Sequence, residues 1–259
     1  MKTPAIIDHI RQWLKDYNQK AGTSGFVVGV SGGIDSALTS TLAAMTDEEV
    51  ICLEMPIYQS LDQVNRALEH IGWLQDRHPK VRFESIDLTP VYNAMVEQLP
   101  PVKEEKDREL ALANTRARLR MSTLYYFAGL EGKLVVGTGN KVEDFGVGFF
   151  TKYGDGGVDL SPIADLNKTE VYALAKELNI IDAIQNAAPT DGLFGDARTD
   201  EDQLGASYPE LEWAMEFSGN PDELSGRKKE VYEIFSRLNK ANKHKIEPIP
   251  VCEIPKDLK

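Results

Sequence analysis

Apolar and polar positions follow a strand-then-helix rhythm along the chain. Residues 4–19 set Ile6, Ile7, Ile10, Trp13, Leu14 and Tyr17 near one helical stripe, suited to covering a sheet edge or a partner subunit. Phe26, Val27, Val28 and Val30 then form a short β-branched run. Ser31, Gly32 and Gly33 break it, and Ile34 to Ala44 resumes a helical pattern. Val50 to Met55 predicts a second strand, stopped by Pro56. A helix over 59–76, a strand over Val81–Ile86, a short helix over 89–98 and a long helical segment from Asp107 to Gly129 follow. Leu134, Val135 and Val136 make the next strand. Asn167, with Glu170 three residues later, predicts a capping box for a helix over 168–178. Helices over 207–217 and 224–241 complete the pattern, before a tail that is basic and then proline-rich.

Strands each followed by a helix require a parallel sheet with right-handed crossovers. The prediction is an α/β fold, a Rossmann-like three-layer α/β/α with a mostly parallel central sheet. Its ligand should lie at the carboxyl ends of the strands, where Ser31–Ser36 sits. Residues 186–206 are polar and too long for a simple connection, so they read as a mobile loop.

The first strand–loop–helix junction carries the sharpest chemistry. Its residues are S-G-G-x-D-S: Ser31, Gly32, Gly33, Asp35 and Ser36. Neither the Walker pattern nor the G-x-G-x-x-G fingerprint is present. Two hydroxyls and the N–H groups of a helix start suit a pyrophosphate. Asp35 would repel it unless a hard cation such as Mg²⁺ lies between. The plainer alternative is a glycine turn capped by Asp35. A second glycine turn, Gly137-Thr138-Gly139-Asn140, ends a later strand and leads to Lys141, Glu143 and Asp144. The segment 148–159 then mixes four glycines with Lys152, Asp155 and Asp159, as a functional loop would. Arg116, Arg118 and Arg120, with Asn114 one turn before Arg118, form the densest basic cluster. It is either a solvated helix face or an anion-receiving one. Lys240, Lys243, His244 and Lys245 likewise either reach a phosphate or belong to a loose tail.

The formal charge of −12 over 259 residues argues against nucleic acid as a partner and requires a local basic patch for small anions. The start MKTPAIIDHIRQWL carries Asp8 and Arg11 inside its apolar run, unlike a signal peptide, and no apolar run reaches membrane-spanning length. Cys52 and Cys252 are far apart, so neither a zinc knuckle nor a disulfide framework is indicated and a cytoplasmic setting is expected. Four histidines, at 9, 70, 78 and 244, make a His-based metal site or triad improbable.

Taken together, these motifs carry a resemblance. SGGIDS at 31–36 resembles the pyrophosphatase loop of the N-type ATP pyrophosphatases. NTRARLRM at 114–121, GTGNKVE at 137–143, GFFTKYGDGGVDLSPIADLNKTE at 148–170, PT at 189–190 and DEDQLGASY at 200–208 resemble the ammonia-dependent NAD⁺ synthetases, over nearly the whole chain. The resemblance implies that the carboxylate of deamido-NAD⁺ is adenylated by ATP, releasing pyrophosphate, and that ammonia then displaces AMP. It implies a homodimer and one synthetase domain over 1–259, with 240–259 as a substrate-covering tail. Carried over by position, Ser31, Gly32, Gly33, Asp35, Ser36, Thr138, Thr190 and Gln59 resemble ATP contacts. Asp35 and Glu143 resemble Mg²⁺ ligands, with Asp144 the rival to Glu143. Asn114, Arg118, Lys152, Asp159, Lys243 and His244 resemble contacts to deamido-NAD⁺. Asp155 resembles the acid beside the ammonia, and Lys168 the lysine that neutralises phosphate charge. The alternatives are another N-type ATP pyrophosphatase ligase, or an adenine-nucleotide sensor without turnover.

Overall fold

The computed structural model describes residues 1–102, 105–188 and 199–259. Its first half alternates as the sequence predicts: α1 (Thr3–Ala21), β1 (Gly25–Gly29), α2 (Ile34–Ala44), β2 (Glu49–Glu54), α3 (Leu61–Gln75), β3 (Val81–Ser85), α4 (Thr89–Gln98), α5 (Glu105–Glu131) and β4 (Leu134–Val135). The strands pair in the order β3-β2-β1-β4, all parallel. Beyond β4, Val136 bridges Leu160 in parallel, so the 158–160 segment extends that edge.

Side-chain alternation divides the core between the two sheet faces. Phe26, Val28, Val50 and Cys52 meet Leu14, Leu38, Leu42 and Ile71 on one side. Val27, Ile51 and Leu53 meet Leu88, Tyr92 and Ala128 on the other. This is the three-layer architecture. A third cluster, of Val142, Val147, Leu204, Leu211, Ala214 and Val231, lies apart from the sheet. It joins a π-helix over Lys141–Val147 to the later helices α8 (Asp200–Leu204), α9 (Tyr208–Glu216) and α10 (Gly226–Ile246). Between them stand α6 (Lys168–Glu177) and α7 (Asp182–Gln185).

Local signals explain most element ends. Pro4 sits in the first turn of α1 and Gly22, at φ 69°, ends it. Ser60 caps α3 by accepting from the Gln63 N–H. The expected Asn167–Glu170 capping box starts α6.

Several expectations need correction. In α1 only Ile7, Ile10 and Leu14 of the apolar stripe are buried, while Trp13 and Tyr17 stay exposed, because a sheet face accepts a narrower stripe than the spacing allowed. The supposed tail begins later: residues 240–246 are the last turns of α10, and Lys243 pairs along that helix with Glu247. The 186–206 segment is not loop throughout. Thr199 and Asp202 form a reciprocal cap that starts α8, with Asp200 and Leu204 buried, whereas 189–198 lie outside the described residues.

His70 of α3 is fully buried, stacked on Trp73, with Nε2 3.0 Å from the Ser40 hydroxyl of α2. Burial pushes its imidazole down to about 4. An unfolded chain protonates this histidine near pH 6.5 and the folded one resists until near pH 4, so stability falls as pH drops across that window. The expected loss from this group is about 3 kcal/mol. Chemical denaturation of wild type and His70→Gln from pH 7 to 4 should show a flatter pH slope in the variant.

Candidate active site

The site opens at the carboxyl ends of β1, β2 and β4. Its wall contains the Ser31–Ser36 loop, Glu54, Gln59, Arg66, Arg120, Thr138, Glu143, Asp144, Asp155 and Lys168. The loop is locked in shape before any ligand arrives. Ser36 Oγ donates to the Gly33 carbonyl at 2.9 Å, accepts from the Ser31 N–H at 3.2 Å and lies 3.2 Å from Ser31 Oγ. Gly32 adopts φ 82°, and a β-carbon there would come within 2.5 Å of the Gln63 carbonyl on α3. Arg66 Nε donates to the Gly32 carbonyl at 3.3 Å. The N-cap of α2 is Gly33, with no side chain capping it. Asp35 is therefore not a cap, and the first-turn N–H groups keep their capacity for an anion.

Asp35 instead turns toward Lys168, which is buried at the first position of α6. Lys168 Nζ donates to Asp35 Oδ2 at 2.5 Å and to Glu143 Oε1 at 3.0 Å. Asn140 Nδ2 donates to Asp35 Oδ1 at 3.1 Å, while Asn140 Oδ1 accepts from the Val142 and Glu143 N–H groups and so caps the π-helix. Tyr208 of α9 donates to Glu143 Oε1 at 2.5 Å, and its ring lies under Lys168. Three remote segments converge on one ammonium.

The charges follow this geometry. Burial opposes the Lys168 charge, but Asp35 and Glu143 outweigh it and hold the ammonium well above its ordinary range. Burial raises Asp35 against the pull of Lys168. For Glu143 burial is the largest single influence, yet Lys168, Tyr208 and Asn140 together bring the carboxyl below its usual value. Asp144 is pushed well up by burial and by Glu143, Asp155 and Asp35. Asp155 is exposed at the rim and accepts from the Thr151 N–H at 2.9 Å; crowding by protein around its carboxyl still raises it.

Of the residues expected at the ATP end, Ser31, Gly32, Gly33, Asp35, Ser36, Gln59 and Thr138 all line the pocket. Thr190 lies outside the described residues. Gln59 accepts from Arg120 at 2.7 Å, so part of its polarity is committed within the chain. The residues expected to touch the dinucleotide do not line this pocket. Four of them belong to an adjoining network: Thr151 donates to Asn114 Oδ1 at 2.6 Å, Arg118 to the Lys152 carbonyl at 3.3 Å, and Lys152 Nζ to the His244 carbonyl at 2.6 Å. Thr151 couples the two regions, through its hydroxyl to Asn114 and its N–H to Asp155. Lys243 is exposed beside Glu247. Asp159 is held by the Tyr125 hydroxyl at 2.9 Å and the Val135 N–H at 2.8 Å.

The three arginines of α5 do not share one anion face. Arg116 lies over Tyr92, Arg118 reaches Lys152, and Arg120 donates to the Met55 carbonyl. Sequence reading missed Asn140, Tyr208, Glu54 and Arg66; only the position of Asn140 before an acidic helix start carried a local signal, that of an N-cap. Cys52 is buried in β2 and its thiol is pushed up to about 12, which removes it as a nucleophile. No helix of the described residues is long and apolar enough to cross a membrane.

The model of the NAD synthase family matches residues 6–249. An NH(3)-dependent NAD(+) synthetase from Methanosarcina acetivorans is 37% identical over 257 residues, 95% of this chain and 97% of its own. An NMN synthetase from Francisella tularensis superposes with TM-score 0.84 at 28% identity, covering 99% of both chains. An NH3-dependent NAD synthetase from Campylobacter jejuni, solved with nitrate, gives 0.77 at 28% identity over 98% of this chain and 100% of its own. With a pocket built at the strand ends and a match running almost from end to end, the chain belongs to the NAD synthase family.

Proposed function

We propose that this protein is an ammonia-dependent NAD⁺ synthetase: it amidates deamido-NAD⁺ with ammonia and ATP, giving NAD⁺, AMP and pyrophosphate. The observation that carries the reading is the Lys168 ammonium between Asp35 and Glu143, beside a preformed Ser31–Ser36 loop, in a family member. In the first step a carboxylate oxygen bonds to the α-phosphorus and the bond to the β-phosphate oxygen breaks. In the second, ammonia nitrogen bonds to the carbonyl carbon and AMP departs.

Both partners of the first step are anions, so positioning and charge neutralisation dominate. The α2 N–H groups and the Ser31 and Ser36 hydroxyls receive the phosphates, and Thr138 and Gln59 contribute from the wall. Lys168 holds charge that builds on the leaving pyrophosphate. Asp35 and Glu143 suit Mg²⁺, a hard ion that takes one or two carboxylates and completes its shell with phosphate oxygens and water. The described residues hold no group of three or more His, Cys, Asp or Glu side chains arranged for a metal. Bound there, Mg²⁺ would offset phosphate charge and improve the leaving group. Asp144, half-buried beside Glu143 and with a raised carboxyl, is the weaker candidate ligand.

Asp155 attracts ammonium at the rim and takes its proton, freeing the nitrogen lone pair. Asn114, Arg118, Lys152 and His244 are assigned to the nicotinate end, where the α5 and α10 surfaces meet the 151–152 segment, with Asp159 and Lys243 as further contacts to the dinucleotide. The copy–copy interface is assigned to α4 and α5. Val91 and Met95 stand exposed on one stripe of α4, with Leu99 exposed just past its end, and Tyr126 and Leu130 on one stripe of α5. A cytoplasmic homodimer follows from this reading.

Product analysis with ATP and Mg²⁺ tests the proposal: NAD⁺ and AMP should form with ammonium and deamido-NAD⁺, and not with glutamine as sole donor. Likeness to an NMN synthetase favours a second acid substrate, nicotinate mononucleotide. A kcat/KM for it above that for deamido-NAD⁺ would reassign the physiological substrate.

Asp35→Ala should lower Mg²⁺-dependent turnover about a thousandfold while circular dichroism shows the fold intact. Asp155→Asn should depress NAD⁺ formation at least tenfold more than exchange of labelled pyrophosphate into ATP, because only the second step uses its basicity. Size-exclusion chromatography with light scattering should give a dimer mass, shifted to the monomer by Tyr126→Glu.

A further inference from the structure

Glu54 ends β2, and its side chain is not explained by the reaction above. It is only 4% exposed, yet it lines the pocket. Its Oε2 accepts from the Ser85 hydroxyl at 2.7 Å. Among the described residues no group bonds its Oε1, and no cation pairs with it. A carboxylate buried in a pocket wall and held by one neutral hydroxyl keeps lone pairs open to a further donor. The missing donor is therefore expected from a ligand.

Register tells which part of the ligand this is. Gly29 of β1 pairs with Leu53 of β2, so Glu54 stands level with Val30, one residue short of the phosphate loop and one strand across. A carboxylate so near that loop repels phosphate; it needs an uncharged donor on the same molecule. Val30 and Ala67, packed on the same sheet face, and Val64 of α3 line this part of the pocket wall and suit a flat apolar ring better than a sugar. Glu54 is also deeper than Ser31, which is exposed, and Asp35, which is half-buried. The buried end of a nucleotide anchored by its phosphates at the loop is its base.

We propose that Glu54, fixed by Ser85, reads the base of the nucleoside triphosphate: Oε1 accepts from the 6-amino group of adenine and rejects a 6-oxo purine, whose oxygen would face the carboxylate. This rests on the ATP-dependent amidation proposed above and adds the residue that sets base specificity.

The test measures kcat/KM for ATP, ITP, 2′-deoxy-ATP and 3′-deoxy-ATP with wild type and Glu54→Gln, alongside direct calorimetric binding of ATP and ITP. Wild type should prefer ATP to ITP by about a hundredfold. In Glu54→Gln the KM for ATP should rise about 10–100-fold with kcat nearly unchanged, and the preference over ITP should fall at least tenfold, since the amide can donate to a 6-oxo group. The penalties for the deoxy nucleotides should be the same in both proteins. An unchanged ATP-to-ITP ratio in an active but less heat-stable variant would make Glu54 merely structural and overturn the proposal. Loss of the deoxy penalty with the base ratio unchanged would assign Glu54 to the ribose and also overturn it. Binding of ATP and ITP without preference by a wild type that forms no NAD⁺ would overturn both this inference and the amidation reading.

Discussion

Lys168 occupies a place where a lysine is costly. It is buried, and it stands at the first position of a helix, where the partial positive charge of the helix end repels a cation. Asp35 from α2 and Glu143 from the π-helix offset both costs, at 2.5 and 3.0 Å. Each acid is in turn stabilised in its charged form by the lysine. None of the three is comfortable without the others, so the starts of α2 and α6 and the 141–147 turn are brought to one point. Asn140 ties the same turn to Asp35, and Tyr208 ties α9 to Glu143. The satellite cluster around Val142 and Leu211 is thereby docked against the carboxyl edge of the sheet.

The π-helix is the local device that makes this arrangement possible. A wider turn of this kind is rare and tends to mark functional positions. Here it presents Glu143 and Asp144 consecutively to one pocket. Their fates then diverge: Glu143 has the lysine and the tyrosine and stays low, whereas Asp144 has acidic neighbours and is raised. The surplus of acid over committed cation suits a site whose proposed substrate brings both phosphate and a divalent ion.

The two ends of the proposed reaction rest on different supports. The phosphate end is built from backbone geometry: a positive-φ glycine pressed against α3, an uncapped helix start and hydroxyls bonded to one another. Such a loop needs little reorganisation to receive an anion. The end assigned to the nicotinate is built from the Arg118 side chain of α5 reaching the Lys152 carbonyl and the Lys152 side chain reaching the His244 carbonyl of α10. Thr151 joins the two through Asn114 and Asp155. Asp155 thus stands between a rigid anion cradle and a surface with looser ties.

The alternation of β-branched runs and helical stripes determined the three-layer sheet, because period-two and period-3.6 burial are local properties of the chain. Turn and cap chemistry likewise placed the phosphate loop and the start of α6. Motif matching extended that reach to Asp35, Glu143, Asp155 and Lys168 as members of one site. Tertiary structure alone decided what those residues do to one another. That Asp35 serves a lysine 133 positions away rather than capping its own helix is a long-range fact. So are the scattering of Arg116, Arg118 and Arg120 to three separate partners and the isolation of Glu54 beneath the phosphate loop. Charge pairing and desolvation act through space, and a linear sequence carries no measure of which distant segments will share a few ångströms.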